Sequence, residues 1–340
     1  MWGLGCCLLI AICLTGSACS VSSGQTPGSV HGQGTGDGAR KPEITLPLGA
    51  ESRLFQNLTE SSGANGPVKH CYPPTVALRE GEIRDPGLNE ISGIVASRHH
   101  AGVLWMHNDS GDGATLYAVN TEGELLSRHD LFGVVAFDWE DIGIGPGPVS
   151  GVDYLYAGDI GDNLLFRSEV VAYRVPEPEV GRDTAIFQLE TISLVYPTPG
   201  QDAEALAVDP LTGDLFVVTK TTAERPGVYR APAERLGGEG SIALELVATL
   251  ALPAGGEVTA ADFSPNGDRF ALRSYRHVWI WDRTSEDMAE TLAAVPCAAA
   301  SPEERQGEAL AFSADGRDMF TVSEGSDVVI NRITASEGAR

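Results

Sequence analysis

Carboxylates recur at matched places along the 340-residue chain, and their spacing suggests chemistry. Five segments align: NEISGIVAS (89–97), DWEDIGIG (138–145), DAEALAVD (202–209), EVTAADFS (257–264) and QGEALAFS (306–313). One column holds Ser92, Glu140, Glu204, Thr259 and Glu308. Two residues earlier stand Glu90, Asp138, Asp202, Glu257 and Gln306. A second set closes the stretches that follow: His107, Asn108, Asp109, Asp159, Asp162, Asn163, Lys220, Arg273 and Glu324. If the two sets meet, they form a ring of acids with one Lys, one Arg and one His. Carboxylates that close repel one another unless they are paired, protonated or bound to a cation.

Three chemistries use such a ring. The first is a hard cation, Ca²⁺ being the expected one, because it prefers several oxygen ligands. HNDSGDG (107–113) and GDIGDN (158–163) are loops able to wrap it, with Asp109, Asp159 and Asp162 as the metal ligands. They lack EF-hand spacing, and each alone also reads as an Asx turn. The second is hydrolysis, with carboxylates of successive repeats as general acid and base, or with a metal acting on a phosphoester. Lys220 and Arg273 would then hold an anionic group, or else merely neutralise neighbouring acids. No residue is assigned as catalytic. The third is binding without chemistry. A small-molecule, cation or protein ligand would meet a face built from Glu90, Asp109, Asp138, Glu140, Asp159, Asp162, Asp202, Glu204, Lys220, Arg273, Glu308 and Glu324. Binding is the expected function, and a metal-dependent phosphoesterase or glycosidase is the alternative. The chain contains no GxSxG, GxxxxGK[ST] or HExxH. A zinc site from His99, His100 and His107 competes with a reading as surface histidines. Trp105, Trp139, Trp279 and Trp281 read as core, although Trp139 stands between Asp138 and Glu140.

The elements that position these residues are strands. After the column, Ile94/Ala96, Ile142/Ile144, Leu206/Val208, Ala261/Phe263 and Leu310/Phe312 alternate with smaller or polar residues, the period of a strand. Column members are separated by 48, 64, 55 and 49 residues, the spacing of propeller blades. TGD (212–214), NGD (266–268) and ADG (314–316) are hairpin turns to second strands. Third strands follow, and fourth strands fit ELLSRHDL, FQLETISLVYP, LELVATLAL and a stretch from Met288. The fifth repeat lacks a fourth strand, and TVALREGEI (75–83) is expected to supply it and so close the ring. The fold class is therefore all-β, a β-propeller of five four-stranded blades closed by an N-terminal strand. A sixth blade hidden in the 64-residue step is the alternative. In this architecture first strands start, and second strands end, on one face beside the axis, which is where the two residue sets meet.

FSPNGDRFAL (263–272) and FSADGRDMF (312–320) resemble the hairpins of TolB-type and WD40-like propellers. ISGIVAS with VLWMHNDSGDGATLYAVNTEGEL resembles secreted bacterial propellers of the NHL and SdiA-regulated kind. The resemblance spans roughly residues 75–335 and implies a fold, not an activity. WIWD (279–282) echoes the WD dipeptide, but no GH element precedes it.

Lys plus Arg number 23 against 47 Asp plus Glu, a net charge of −24. That repels phosphate backbones and excludes nucleic acid, and no dense basic run serves an anionic membrane. Residues 20–70 hold four basic and four acidic residues, so the acidity belongs to 71–340. The apolar run LGCCLLIAICL (4–14) is too short for a bilayer span of about 20 residues and fits a signal peptide. TGSAC follows and resembles a lipobox, with Cys19 as the lipidated residue. Gly16 at position −3 and the absence of a preceding Lys or Arg depart from it, which keeps an ordinary secretory signal as the competitor. The expected organisation is a signal peptide (1–19), a Gly/Ser-rich disordered tether (20–70) and the propeller (71–340). The expected protein is exported, resident in the cell envelope, membrane-bound only through its N-terminal anchor, and monomeric. Four of six Cys fall in the leader, which leaves Cys71 and Cys297 for one disulfide.

Overall fold

A computed structural model describes residues 68–336 apart from 72, 110, 222–224, 253–256 and 326–327. The leader with Cys19, and the tether up to residue 67, lie outside the described residues. The rest forms five sheets, each a blade of a β-propeller. Blade 1 runs Ile91–Ala96, Val103–Asn108, Thr115–Asn120 and Leu125–Leu131. Blade 2 runs Trp139–Pro146, Asp153–Asp159, Val170–Pro176 and Glu190–Val195. Blade 3 runs Ala203–Val208, Leu215–Thr219, Gly227–Ala231 and Glu245–Thr249. Blade 4 opens with Val258–Phe263, Arg269–Ser274 and Val278–Asp282. Blade 5 has Gly307–Phe312, Met319–Ser323 and Val328–Ala335, and Thr75–Ile83 pairs antiparallel to the last of these. The N-terminal strand thus closes the ring, as the missing fourth strand of the fifth repeat suggested.

Two expectations are corrected. The stretch from Met288 is not a strand. MAETLA is rich in helix formers, and the Asp287 carboxylate caps it by accepting the Ala289 N–H at 2.8 Å. A helix, Met288–Ala293, results, and blade 4 ends in the two-residue strand Cys297–Ala298. The long step between repeats two and three hides no sixth blade. Its extra residues carry Thr184–Ile186, which pairs parallel to the outer strand of blade 1. Ile242–Ala243 does the same for blade 2, and Lys69–His70 for blade 4. These short additions cover outer sheet edges that would otherwise stay open to pairing with other chains.

The core lies between blades. Trp105, Trp139 and Trp279 are fully buried, and so are Phe216, Phe263 and Phe270, whose rings pack in series at 5.6 and 4.7 Å. The tryptophans are packing residues, as read from their strands.

Cys71 and Cys297 form a disulfide with a Cα–Cα distance of 4.8 Å. It fastens the chain just before the closing strand to the edge of blade 4, beside the bond from Cys71 N–H to the Ala298 carbonyl at 3.0 Å. The cross-link spans 226 residues, and a loop of that size is worth about 5 kcal/mol in the chain-entropy picture. A Cys71→Ser/Cys297→Ser variant is therefore expected to lose several kcal/mol in chemical denaturation. A loss below about 1 kcal/mol would mean that strand pairing alone secures the closure.

Candidate functional site

Each innermost strand carries a β-bulge at its start. The register shifts fall at Ile91/Gly93, Trp139/Asp141, Ala203/Ala205, Val258/Ala260 and Gly307/Ala309. The skipped residues are Ser92, Glu140, Glu204, Thr259 and Glu308, the repeat column of the sequence. A bulge re-aims the extra side chain, and here it turns the column toward the mouth of the axis.

A second structural column faces it. The residues just past the second strands are Asp109, Lys220, Tyr275 and Glu324. The N–H groups of Asp109, Lys220 and Glu324 bond back to Glu90, Asp202 and Gln306 at 2.8–3.0 Å. In blade 2 the equivalent bond, to the Asp138 carbonyl at 3.2 Å, comes from Gly161. A side chain at that position would displace the carboxylates of Glu140 and Asp138. A Cβ there would lie 2.4 Å from Glu140 Oε1 and 2.5 Å from Asp138 Oδ2.

Four of the bulge residues, all but Thr259, and Asp109, Lys220, Tyr275 and Glu324 of the second column line a polar cavity of about 160 Å³ to which all five blades contribute. Of the twelve candidate residues, Glu90, Asp109, Glu140, Glu204, Lys220, Glu308 and Glu324 line it. Asp138 stands beside it: carboxylate oxygens of Asp109, Asp138 and Glu140 lie within 4.8 Å of one another.

The other four candidates stand outside the cavity, for local reasons. Asp159 ends the second strand of blade 2, paired with Trp139, and its carboxylate is taken up by local partners. Its carboxylate meets Arg167 at 2.8 Å and accepts the N–H groups of Phe137 and Asp138. Asp162 accepts the N–H groups of Phe166 and Arg167 at 3.0 and 2.9 Å, as an Asx-type cap. Asp202 accepts the Asp162 N–H at 2.7 Å. Asp159 and Asp162 therefore do not join Asp109 in one ligand set. Arg273 lies inside its strand, pairs with Val278, and is buried beneath the ring. It is ion-paired to Glu304 and donates to the Ala309 carbonyl at 3.1 Å.

Within the cavity Lys220 pairs with Glu204 and donates to the Tyr275 hydroxyl at 2.7 Å. Burial weighs against the Lys220 ammonium, but Glu204 and Tyr275 together hold its pKa above the ordinary value. Burial pushes Glu204 up, and Lys220 opposes that rise. Glu140 is pushed well up by burial, then by the charges of Glu204 and Asp109. Burial, with Asp109 and Asp202, pushes Asp138 up to about 6. Glu308 and Glu324 also rise, chiefly through burial. The Ser92 hydroxyl donates to Glu140 at 3.3 Å.

Below the cavity two buried carboxylates occupy the axis. Asp141 accepts the N–H groups of Leu206 and Ala261 at 2.9 and 3.0 Å, which joins blades 2, 3 and 4. Asp262 accepts the Phe312 N–H at 2.7 Å, which joins blades 4 and 5. His107 is fully buried, with Nδ1 2.9 Å from the Asn108 carbonyl, and burial pushes its pKa down. Its ring lies against Gly93, where a Cβ would come 2.4 Å from Nε2. His99 groups instead with Asp153 and Glu177. Glu177 is already occupied there by Ser97, Trp105 and the Arg98 N–H.

Sequence reasoning missed Tyr275, Glu304 and Asp262. Tyr275 had a signal, since it occupies the position of Lys220 one blade on. Glu304 lies in a loop outside the repeat and had none.

No family model matches the chain, and no curated protein matches its sequence. Among solved structures it is similar to a glucose dehydrogenase, with a TM-score of 0.46 and 10% identity over 77% of this chain and 100% of that one. No substrate or cofactor follows from that likeness.

Burial pushes Asp262 up to about 7. The folded state then binds this proton more tightly than the unfolded chain, where Asp titrates near about 3.9. Stability from this group is full below the unfolded value and falls as pH rises toward about 7. Thermal melts across that window are expected to decline, and Asp262→Asn to flatten the decline. An unchanged slope would mean that the carboxylate is ionised throughout.

Proposed function

We propose that the protein is a binding propeller that takes a positively charged ligand in its axial pocket. Asp109, Asp138 and Glu140 hold the charge, and Ca²⁺ is the metal ion that this oxygen donor set suits. The observation that carries the reading is the convergence of six carboxylates from four blades on one small cavity, against a single ammonium already paired with Glu204. Bound charge would offset the burial and mutual repulsion that push these carboxylates up in pKa. The donors are all oxygen, the ligand type of a hard cation.

The same residues give the hydrolase alternative one specific support. Burial raises the Glu140 pKa well above the ordinary carboxylate range, the direction that a general acid needs. Size favours binding. Small-molecule sites run from about 300 to 1,000 Å³. A cavity of about 160 Å³ has room for an ion or one side-chain head, not for a sugar with its leaving group.

The proposed setting is outside the cytoplasm, with the chain exported and held in the envelope through a lipid on Cys19, as a monomer that meets no nucleic acid. The apolar run, the small residues before Cys19 and the neutral Gly/Ser-rich segment support it. Mass spectrometry of the mature N-terminus is expected to find a lipidated Cys19. A chain that starts well beyond it with a free amine would overturn the anchor.

The pocket is tested by thermal unfolding with Ca²⁺ and with chelator. A ligand of the folded state at a hundred times its Kd adds about 2.7 kcal/mol. Because protons compete for these raised carboxylates, the Ca²⁺-dependent rise in midpoint is expected to grow as pH rises through about 6, the value to which Asp138 is pushed. Glu140→Gln and Gly161→Ala are each expected to abolish it, the second by driving a methyl between the two carboxylates. Identical midpoints with and without Ca²⁺ at every pH would remove the metal reading.

A further inference from the structure

The pocket face carries an apolar surface that neither the fold nor the acid ring requires. Four phenylalanines, Phe132, Phe137, Phe166 and Phe187, are each more than half exposed. Chain topology puts all four on the face where the pocket opens. Residues 132–138 lead from the outer strand of blade 1 into the first strand of blade 2. Phe166 lies in the loop between the second and third strands of blade 2, and Phe187 follows the short strand parallel to Leu125–Leu131. The rings pair, Phe132 with Phe187 at 4.8 Å and Phe137 with Phe166 at 6.2 Å. Val135 and Leu164 add to the surface at 77% and 81% exposure. Clusters of exposed apolar side chains rimmed by charge mark interaction sites, whereas scattered single ones do not.

This surface is fastened in place. Asp162 accepts the Phe166 and Arg167 N–H groups, and Leu165 N–H bonds to the Asp162 carbonyl at 2.8 Å. Leu165 holds φ at 55°, a left-handed conformation that a branched side chain adopts only under constraint. The loop thus presents Leu164 and Phe166 outward at a conformational cost. A preformed surface binds with less ordering entropy lost.

Phe137 adjoins Asp138, and Asn163 of the pocket wall adjoins Leu164. The occupant must therefore be apolar and cationic within one or two residues. Arg167 shows the match locally: its guanidinium lies 5.1 Å from the Phe137 ring centre while it pairs with Asp159. An anionic membrane surface fits badly, since the adjoining carboxylates and the net charge of −24 repel it. A drug-sized molecule exceeds a cavity of about 160 Å³. A polypeptide satisfies both halves, because the apolar stem of a Lys or Arg carries its charge into a narrow site while its neighbours pack outside.

We propose that this face docks an extended segment of a partner protein, with a Lys or Arg side chain in the acid pocket and flanking aromatic or aliphatic residues on Phe132, Phe137, Phe166 and Phe187. The proposal rests on the reading of the pocket as a site for positive charge.

An array of short peptides tests it. A central Lys, Arg or Gln is flanked by each combination of Phe, Leu, Ser and Glu and probed with the full chain. Binding is expected only for Lys or Arg with apolar flanks, and at least tenfold weaker for Ser or Glu flanks or a central Gln. Glu140→Gln and Phe166→Ser should each cost about as much. Leu164→Ser guards against misfolding, since that side chain packs on almost nothing, and it is expected to weaken binding severalfold with an unchanged melt. Capture that ignores the flanks, capture that survives Phe166→Ser and Leu164→Ser, or no capture at all overturns the docking surface. So does equal binding to phosphatidylserine vesicles lost in Phe166→Ser. Calcium calorimetry on the same protein separates the two readings: Ca²⁺ binding without peptide selection removes only the docking surface, and loss of both removes the pocket as well.

Discussion

The innermost strand of every blade exposes a row of backbone N–H and C=O groups to the axis, where no further strand can pair with them. Buried backbone groups without partners are costly, so this edge constrains everything near it. Asp141 answers two such N–H groups in two other blades, and Asp262 answers one more. A carboxylate is the efficient choice, since it offers several acceptor sites on a short side chain. Both groups are fully buried, and both are pushed upward in pKa by that burial while their N–H partners pull the other way. The axis is thereby closed with negative charge, or with protons held in its place. The pocket above inherits that acidic floor.

The bulges set the next layer. Neutral members of the repeat column bridge blades: Ser92 donates to Glu140, and Thr259 donates to the Gly307 carbonyl at 3.0 Å. The acidic members point at the mouth. One of them, Glu204, is neutralised by Lys220 with Tyr275 behind it. A pseudo-fivefold frame therefore yields an uneven site, with a paired side at blades 3 and 4 and a cation-poor side at blades 1 and 2. Gly161 sharpens the difference, because in blade 2 the position that matches Asp109, Lys220 and Glu324 supplies no side chain.

Much of this was legible in the sequence because it repeats. Period-two alternation, hairpin turns and the regular return of one acidic column defined five blades. The missing last strand then had only one N-terminal candidate, Thr75–Ile83. Two isolated cysteines near the closure gave the disulfide. Legibility failed where local rules override the repeat. MAETLA has helix propensity and a capping Asp287, so the expected outer strand of blade 4 became a helix. Asp159, Asp162 and Arg273 share the composition of the site residues but stand one or two positions off the pocket-facing column. Each of them is taken up by a partner elsewhere, and only register, which depends on the bulges, could have told them apart. Glu304 lies outside any period, and its pairing with Arg273 exists only in three dimensions.

The uneven site also explains why the apolar loops lie where they do. Exposed phenylalanines beside a deep acid cluster are unfavourable for a protein that only binds an ion, since an ion gains nothing from them. Phe137, Asp138 and Glu140 belong to one short run that enters blade 2, so the backbone fixes the distance between apolar surface and charge. The Arg167–Phe137 contact already packs a guanidinium on this rim. A ligand that presents both characters at that spacing would satisfy the acids and cover the rings in one step. Each half of the surface has an unfavourable property that the same kind of chain would remove, which is why the docking surface and the pocket are best regarded as one site.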